Sequence, residues 1–127
     1  MANTDAKINL VYHSDYLIHT QTHHPECRER LEHIMAELKD RKLLERARMI
    51  TPEAATVEEI ARLHDPDYIR SVEQACQSGQ PAMDMDTYLV PESYRVALLS
   101  AGGVLTGLRT VMADEGKTFV LNRPPGH

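Results

Sequence analysis

Short apolar strands alternating with amphipathic helices predict an α/β domain built on a parallel sheet. Three observations carry this expectation. Thr118-Phe119-Val120-Leu121 is a brief, uninterrupted run, as suits a strand covered on both faces. Leu31, Ile34, Met35 and Leu38 fall at i, i+3, i+4 and i+7 and make one helical stripe. The coarse order of elements reads β-α-β-α-α-α-β, the alternation from which parallel sheets are made. At 127 residues the chain forms one domain, residues 1–127, able to bury roughly two-thirds of its unfolded surface.

Taken in order, Ile8 to Tyr12 forms a first strand after a polar tail. The loop from His13 to His24 holds four of the seven histidines: His13, His19, His23 and His24. No cysteine or carboxylate stands at a recognised interval from them, so spacing favours a histidine-rich loop over a metal site. Pro25 opens a helix at its favoured first position, with Glu26 and Glu29 near the positive end of the dipole and Lys39, Arg41 and Lys42 near the negative end. Arg30 lies beside the apolar stripe, where it snorkels at the rim of the buried face.

Arg48-Met49-Ile50 makes a short second strand, stopped by Thr51-Pro52. Thr56-Val57-Glu58-Glu59 is a capping box, worth about 1 kcal/mol. The helix it opens is brief, because Asp65-Pro66 reads as the cap and first residue of the next. That helix turns Ile69, Val72 and Cys76 inward and ends by Gly79. Gln80 to Val90 is a loop with Asp84 and Asp86 two apart, a pair able to bind metal or move protons but more simply solvated surface. Pro91 to Glu115 reads as a long helix with Tyr94, Ala97, Leu98, Ala101, Leu105, Leu108 and Met112 along one face. Gly102-Gly103 costs about 1 kcal/mol per glycine relative to alanine, so a neighbouring element is expected to approach closely there. Gly116 ends the helix, and the last strand runs into Asn122-Arg123-Pro124-Pro125-Gly126-His127, a stiff turn with a histidine at its tip. Chemistry in open α/β sheets gathers outside the carboxyl ends of strands, although a terminal histidine taken alone reads as solvent-exposed.

Composition narrows the classes. The chain is mildly acidic, with net charge −5 and pI near 5.8. No basic block or motif points to nucleic acid. No apolar stretch reads as a membrane span, and Met1 to Lys7 does not read as a signal peptide. Cys27 and Cys76 form no ligand pair and suit reduced thiols in a cytoplasmic protein.

Arg123-Pro124-Pro125-Gly126-His127 resembles the start of the arginine-proline-proline-glycine-histidine-histidine motif of the histone deacetylase superfamily, which includes acetylpolyamine amidohydrolases and acetoin-utilisation-type proteins. Val11-Tyr12-His13 with Asp15-Tyr16-Leu17, then His24-Pro25-Glu26 with Arg30-Leu31, resemble the family's opening strand and the segment after it. Ala55-Thr56-Val57-Glu58-Glu59-Ile60 with His64 and Tyr68, then Asp86-Thr87-Tyr88, Ser93 and Ala101-Gly102-Gly103, extend the match in register. The resemblance implies a three-layer α/β fold of arginase–deacetylase type, here its N-terminal part. It implies hydrolysis of acetyl-amides of lysine or polyamine type, with Zn2+ polarising the carbonyl and activating water. It makes His127 the first histidine of a catalytic tandem, Arg30 the arginine lining an internal channel, and Asp86 the rim acid that grips substrate, with Asp84 the alternative.

The chain stops at that first histidine. The second histidine, the two aspartates and histidine that bind zinc, and the oxyanion tyrosine all follow this point in the family's order. Residues 1–127 are therefore expected to bind no metal and to be inactive alone, since catalytic units are strongly non-additive. A sheet cut after a central strand is also expected to expose an edge and an apolar face. The leading reading is the N-terminal part of a longer deacetylase acting on an acetylated amine. The alternatives are a short binding or assembly module that pairs with itself or a partner through that edge, and a nonfunctional remnant.

Overall fold

A computed structural model describes residues 8–114 and 116–126. In chain order it contains β1 (Ile8–Val11), a 3-10 turn (Ser14–Leu17), α1 (Glu29–Asp40), a second 3-10 turn (Leu44–Arg46), β2 (Ala47–Ile50), α2 (Val57–Ile60), α3 (Pro66–Gln77), α4 (Ser93–Asp114) and β3 (Thr118–Val120). The strands form one parallel sheet in the order β2-β1-β3. Leu10 stands in register with Met49 and Phe119, and Val11 with Ile50 and Val120.

Successive strand residues point to opposite faces, and each face has its own helix. Leu10, Tyr16, Leu31, Val96 and Leu121 form the buried core cluster, and Met35, Leu38, Leu44 and Ala47 pack against it. On the opposite face, Val11, Thr118 and Val120 lie against Gly107 of α4. The result is helix, sheet, helix, the layered α/β arrangement that the strand pattern predicts. β3 pairs only with β1 among the described residues, and Phe119 is 54% exposed on that strand.

Local signals set several boundaries as expected. The Thr56 side chain accepts from the Glu59 amide and the Glu59 carboxylate accepts from the Thr56 amide. Asp65 caps α3, with Pro66 at its start and Gly79 in the left-handed region after its end (φ 76°). Two expectations fail. α1 begins at Glu29 and not at Pro25, with no side-chain cap on Arg28. Residues 24–28 are drawn into loop hydrogen bonds instead: the Glu26 amide donates to His24 Nδ1, and the Arg28 amide donates to Thr20 Oγ1.

The buried side of α4 is also not the expected leucine face. Leu108 and Met112 are exposed, whereas Val96, Ser100, Gly103 and Gly107 are buried. Those four recur at helical spacing, but three are too small or too polar to read as a stripe. They are small because the helix is crowded. A Cβ on Gly103 would stand 2.3 Å from the Tyr16 hydroxyl, and one on Gly102 would stand 1.9 Å from the Glu53 carbonyl oxygen. The segment before α2 crosses the helix at that point, where the Ala55 amide donates to the Leu98 carbonyl and the Glu53 amide to Thr106 Oγ1. By length and composition alone, Ser93–Ala113 is apolar enough to cross a membrane, contrary to the sequence reading. In this fold its small-residue face lies on the sheet.

Gly102→Ala isolates the close approach. Helix propensity alone would make it stabilising by about 1 kcal/mol. Contact with fixed backbone reverses the sign, and a loss of about 1–3 kcal/mol is expected in chemical denaturation. An unchanged or raised midpoint would contradict the packing.

Candidate functional site

The loops that follow β1 and β3 meet the 80–90 loop around a cavity of about 580 Å3. His19, His24, Pro25 and Glu26 line it from the first loop, Pro124 and Pro125 from the turn after β3, and Asp86 and Tyr88 from the third. Tyr68, Val72, Met83, Leu89 and Ala97 supply apolar wall. The position, outside the strand carboxyl ends, is where α/β sheets place ligand sites.

Arg123 joins these segments. Its side chain is fully buried. Nε donates to Glu26 Oε1 (2.8 Å), Nη1 to the carbonyls of Tyr16 (2.9 Å) and His19, and Nη2 to the Tyr88 hydroxyl (2.8 Å). Tyr88 passes the link on, its hydroxyl donating to the Glu26 carbonyl at 2.7 Å. Burying a guanidinium costs several kcal/mol unless its donors are met, and here one carboxylate and three neutral oxygens meet them. Either side of Arg123, Asn122 Nδ2 donates to the carbonyl and hydroxyl of Ser100 (2.9 Å each), and Ser100 Oγ donates to the Pro124 carbonyl (2.7 Å). The turn is thus fixed to α4 on one side and to the first loop on the other.

His19 is 6% exposed. Its ring stacks on Tyr88 with centroids 4.5 Å apart, and its Nδ1 lies 2.6 Å from Ser93 Oγ. His24 meets the same tyrosine edge-on at 4.8 Å. Burial, and then the positive charge of Arg123, push the His19 pKa down to about 4. It is a neutral imidazole at neutral pH. Burial likewise pushes Tyr16 up to about 12, and its hydroxyl donates to the Leu99 carbonyl at 3.2 Å.

The residues singled out from the sequence are distributed unevenly. Asp86 is exposed and lines the cavity; its amide donates to Asp84 Oδ1 at 2.9 Å. Arg30 does not line it: its side chain is 50% exposed and pairs with Glu26 one turn away. The interior arginine of this segment is Arg123. His127 lies outside the described residues. Among the described residues, no group of three or more His, Cys, Asp or Glu side chains is placed to hold a metal ion. The first-loop histidines divide: His19 and His24 line the cavity, while His13 Nδ1 accepts from the Asp15 amide at 3.0 Å.

Sequence reasoning gave Arg123 no role and gave His19 no partner within its histidine-rich loop. One signal for Arg123 was present: a lone cation just after an apolar run and before two prolines has no solvated helix face to occupy. Spacing held no comparable signal for His19, because its partners Ser93 and Tyr88 lie about 70 residues away.

A parallel α/β segment with a cavity at its strand ends defines the class, and comparison with known proteins defines the family. Residues 24–127 match the histone deacetylase domain, and the chain belongs to that family. It is 34% identical over 122 residues to a probable deacetylase of Archaeoglobus fulgidus, covering 93% of this chain and 34% of that protein. It is 31% identical over 104 residues to a histone deacetylase-like amidohydrolase of Pseudomonas aeruginosa, covering 81% of this chain and 27% of that protein. The crystal structure of the HDA15 HD domain superposes with a TM-score of 0.88 at 26% identity, over 97% of this chain and 36% of that one. The chain spans about one third of the length of these relatives.

Two expectations follow from the site. Arg123→Met leaves Glu26 and two carbonyls without their buried partner and should cost about 3–5 kcal/mol. Arg30→Met removes only an exposed pair and should cost less than about 1 kcal/mol. Comparable losses in denaturant titrations would show that burial does not separate the two arginines. The second expectation concerns pH. Because the folded pKa of His19 lies below that of a free histidine, acid protonates the unfolded chain first. Its contribution is complete above about 6.5 and declines as pH falls towards about 4, by no more than about 3 kcal/mol. Stability of His19→Gln should fall less steeply than wild type across that window, and parallel curves would refute the assignment.

Proposed function

We propose that the polypeptide carrying this segment is a zinc-dependent deacetylase that hydrolyses acetyl-amides of lysine or polyamine type. The cavity at the strand carboxyl ends, lined by Pro124 and Pro125 of the turn that Arg123 anchors, is the observation that carries the reading. Relatives named as a probable deacetylase, a histone deacetylase-like amidohydrolase and a polyamine deacetylase support it. The described residues do not form a zinc-binding set, so the reading assigns the ligands to residues outside them. Zinc, when bound, supplies Lewis acidity at the acyl carbonyl.

In this reading residues 8–126 contribute walls and anchoring. Arg123, Ser100 and Asn122 hold the turn that leads to His127, which acts in proton and charge handling. Asp86 stands at the cavity with a carboxylate suited to an amine-bearing substrate. Arg30, half exposed here, faces the rest of the polypeptide. The same reading places the protein in the cytoplasm, in keeping with free Cys27 and Cys76.

The test is acetate release from acetylated lysine peptides and acetylpolyamines by the longer polypeptide, with its metal content measured on the same sample. Stoichiometric zinc with turnover is expected, and residues 1–127 alone should release none. Asp86→Ala should raise KM for a cationic substrate by roughly threefold to tenfold while sparing kcat. A longer polypeptide without zinc and without acetate release would sink the proposal.

A further inference from the structure

His19 presents one unused polar atom to the cavity. Ser93 Oγ accepts from the Val90 amide at 2.8 Å and lies 2.6 Å from His19 Nδ1. A hydroxyl has a single hydrogen. The oxygen has room to accept twice, but among the described residues Nδ1 is the only acceptor within reach of that buried hydroxyl's hydrogen, which assigns the hydrogen to Nδ1. The neutral ring then carries its own proton on Nε2. Nε2 has no hydrogen bond among the described residues. Among them no sealed side-chain nitrogen or oxygen lacks a partner either, so Nε2 is reachable, and the cavity is what His19 lines.

The ring is held on its other sides. Tyr88 stacks on it at an interplanar angle of 11°, and Arg123 Nη1 donates to the His19 carbonyl. Such a donor needs no reordering when a ligand arrives. The charges nearby select what it can meet. Asp86 lines the same cavity and disfavours an anion there, while the Glu26 carboxylate is already answered by Arg123 and Arg30. An ammonium has no acceptor to find at an N–H group. An uncharged oxygen acceptor fits, carried on a chain able to lie against Tyr68, Val72, Met83 and Leu89.

We infer that His19 is a ligand-binding residue of this cavity and that its Nε2–H donates to an amide carbonyl oxygen of the bound molecule. The inference rests on the deacetylase reading only for the choice of an amide over an ester. The low pKa of His19 agrees with a ring that stays a neutral donor across physiological pH.

Nitrogen NMR of histidine-labelled intact protein, with N-butylacetamide and butylammonium as probes, tests it. His19 should be the Nε2–H tautomer at neutral pH, and its Nε2 resonance should move as N-butylacetamide binds. His19→Phe keeps the ring stack but removes the donor, and should weaken the amide about tenfold while leaving butylammonium unchanged. His19→Gln, which retains an N–H donor, should recover part of the loss. An Nδ1–H tautomer, an imidazolium, no amide binding, or equal weakening of both probes would overturn the inference. If His19→Phe does not fold, the wild-type spectra decide it. Acetate release is scored separately: amide binding without turnover would count against the deacetylase reading and not against this one.

Discussion

A guanidinium with no exposed surface is the constraint on which the rest of the site depends. Arg123 lies just past β3, two positions after the buried Leu121. Its charge must be answered inside the protein, because losing water around it costs several kcal/mol. Glu26, the carbonyls of Tyr16 and His19, and the Tyr88 hydroxyl answer it. Those groups come from the loop after β1 and from the 80–90 loop. One unavoidable charge therefore gathers three otherwise independent segments around one cavity.

The same demand explains local departures from propensity. Pro25 has the right residue type to start a helix, yet Glu26 is engaged through its amide, carbonyl and carboxylate with His24, Tyr88 and two arginines. A helix from Pro25 would bind some of those groups to its own backbone, so α1 waits until Glu29. Crowding has a comparable effect in α4. Its buried line is Val96, Ser100, Gly103 and Gly107 because the sheet and the 53–55 segment leave no room for leucine.

Features decided by near neighbours were legible in the sequence. The capping box at Thr56–Glu59, the Asp65–Pro66 start of α3, the three strands and their order with the helices follow from residues within a few positions of one another. The close approach at Gly102-Gly103 was legible as a cost without a partner; only the fold names Glu53 and Tyr16. Features decided across the chain were not legible from local pattern. Glu26 and Arg123 are 97 residues apart, and His19 and Ser93 are 74 apart. Motif resemblance bridged part of that gap by identifying the family. It assigned a role to Arg30, half exposed in this segment, and none to the buried Arg123.

Glu26 and the buried Arg123 act as one coupled unit that holds the cavity together. A double-mutant cycle with Glu26→Gln, Arg123→Met and the double variant, read by denaturant unfolding, measures it most directly. The account predicts strongly non-additive losses, with a coupling energy above about 1 kcal/mol, as for residues in one hydrogen-bonded network. Losses that add within about 0.5 kcal/mol, as for independent sites, would contradict it.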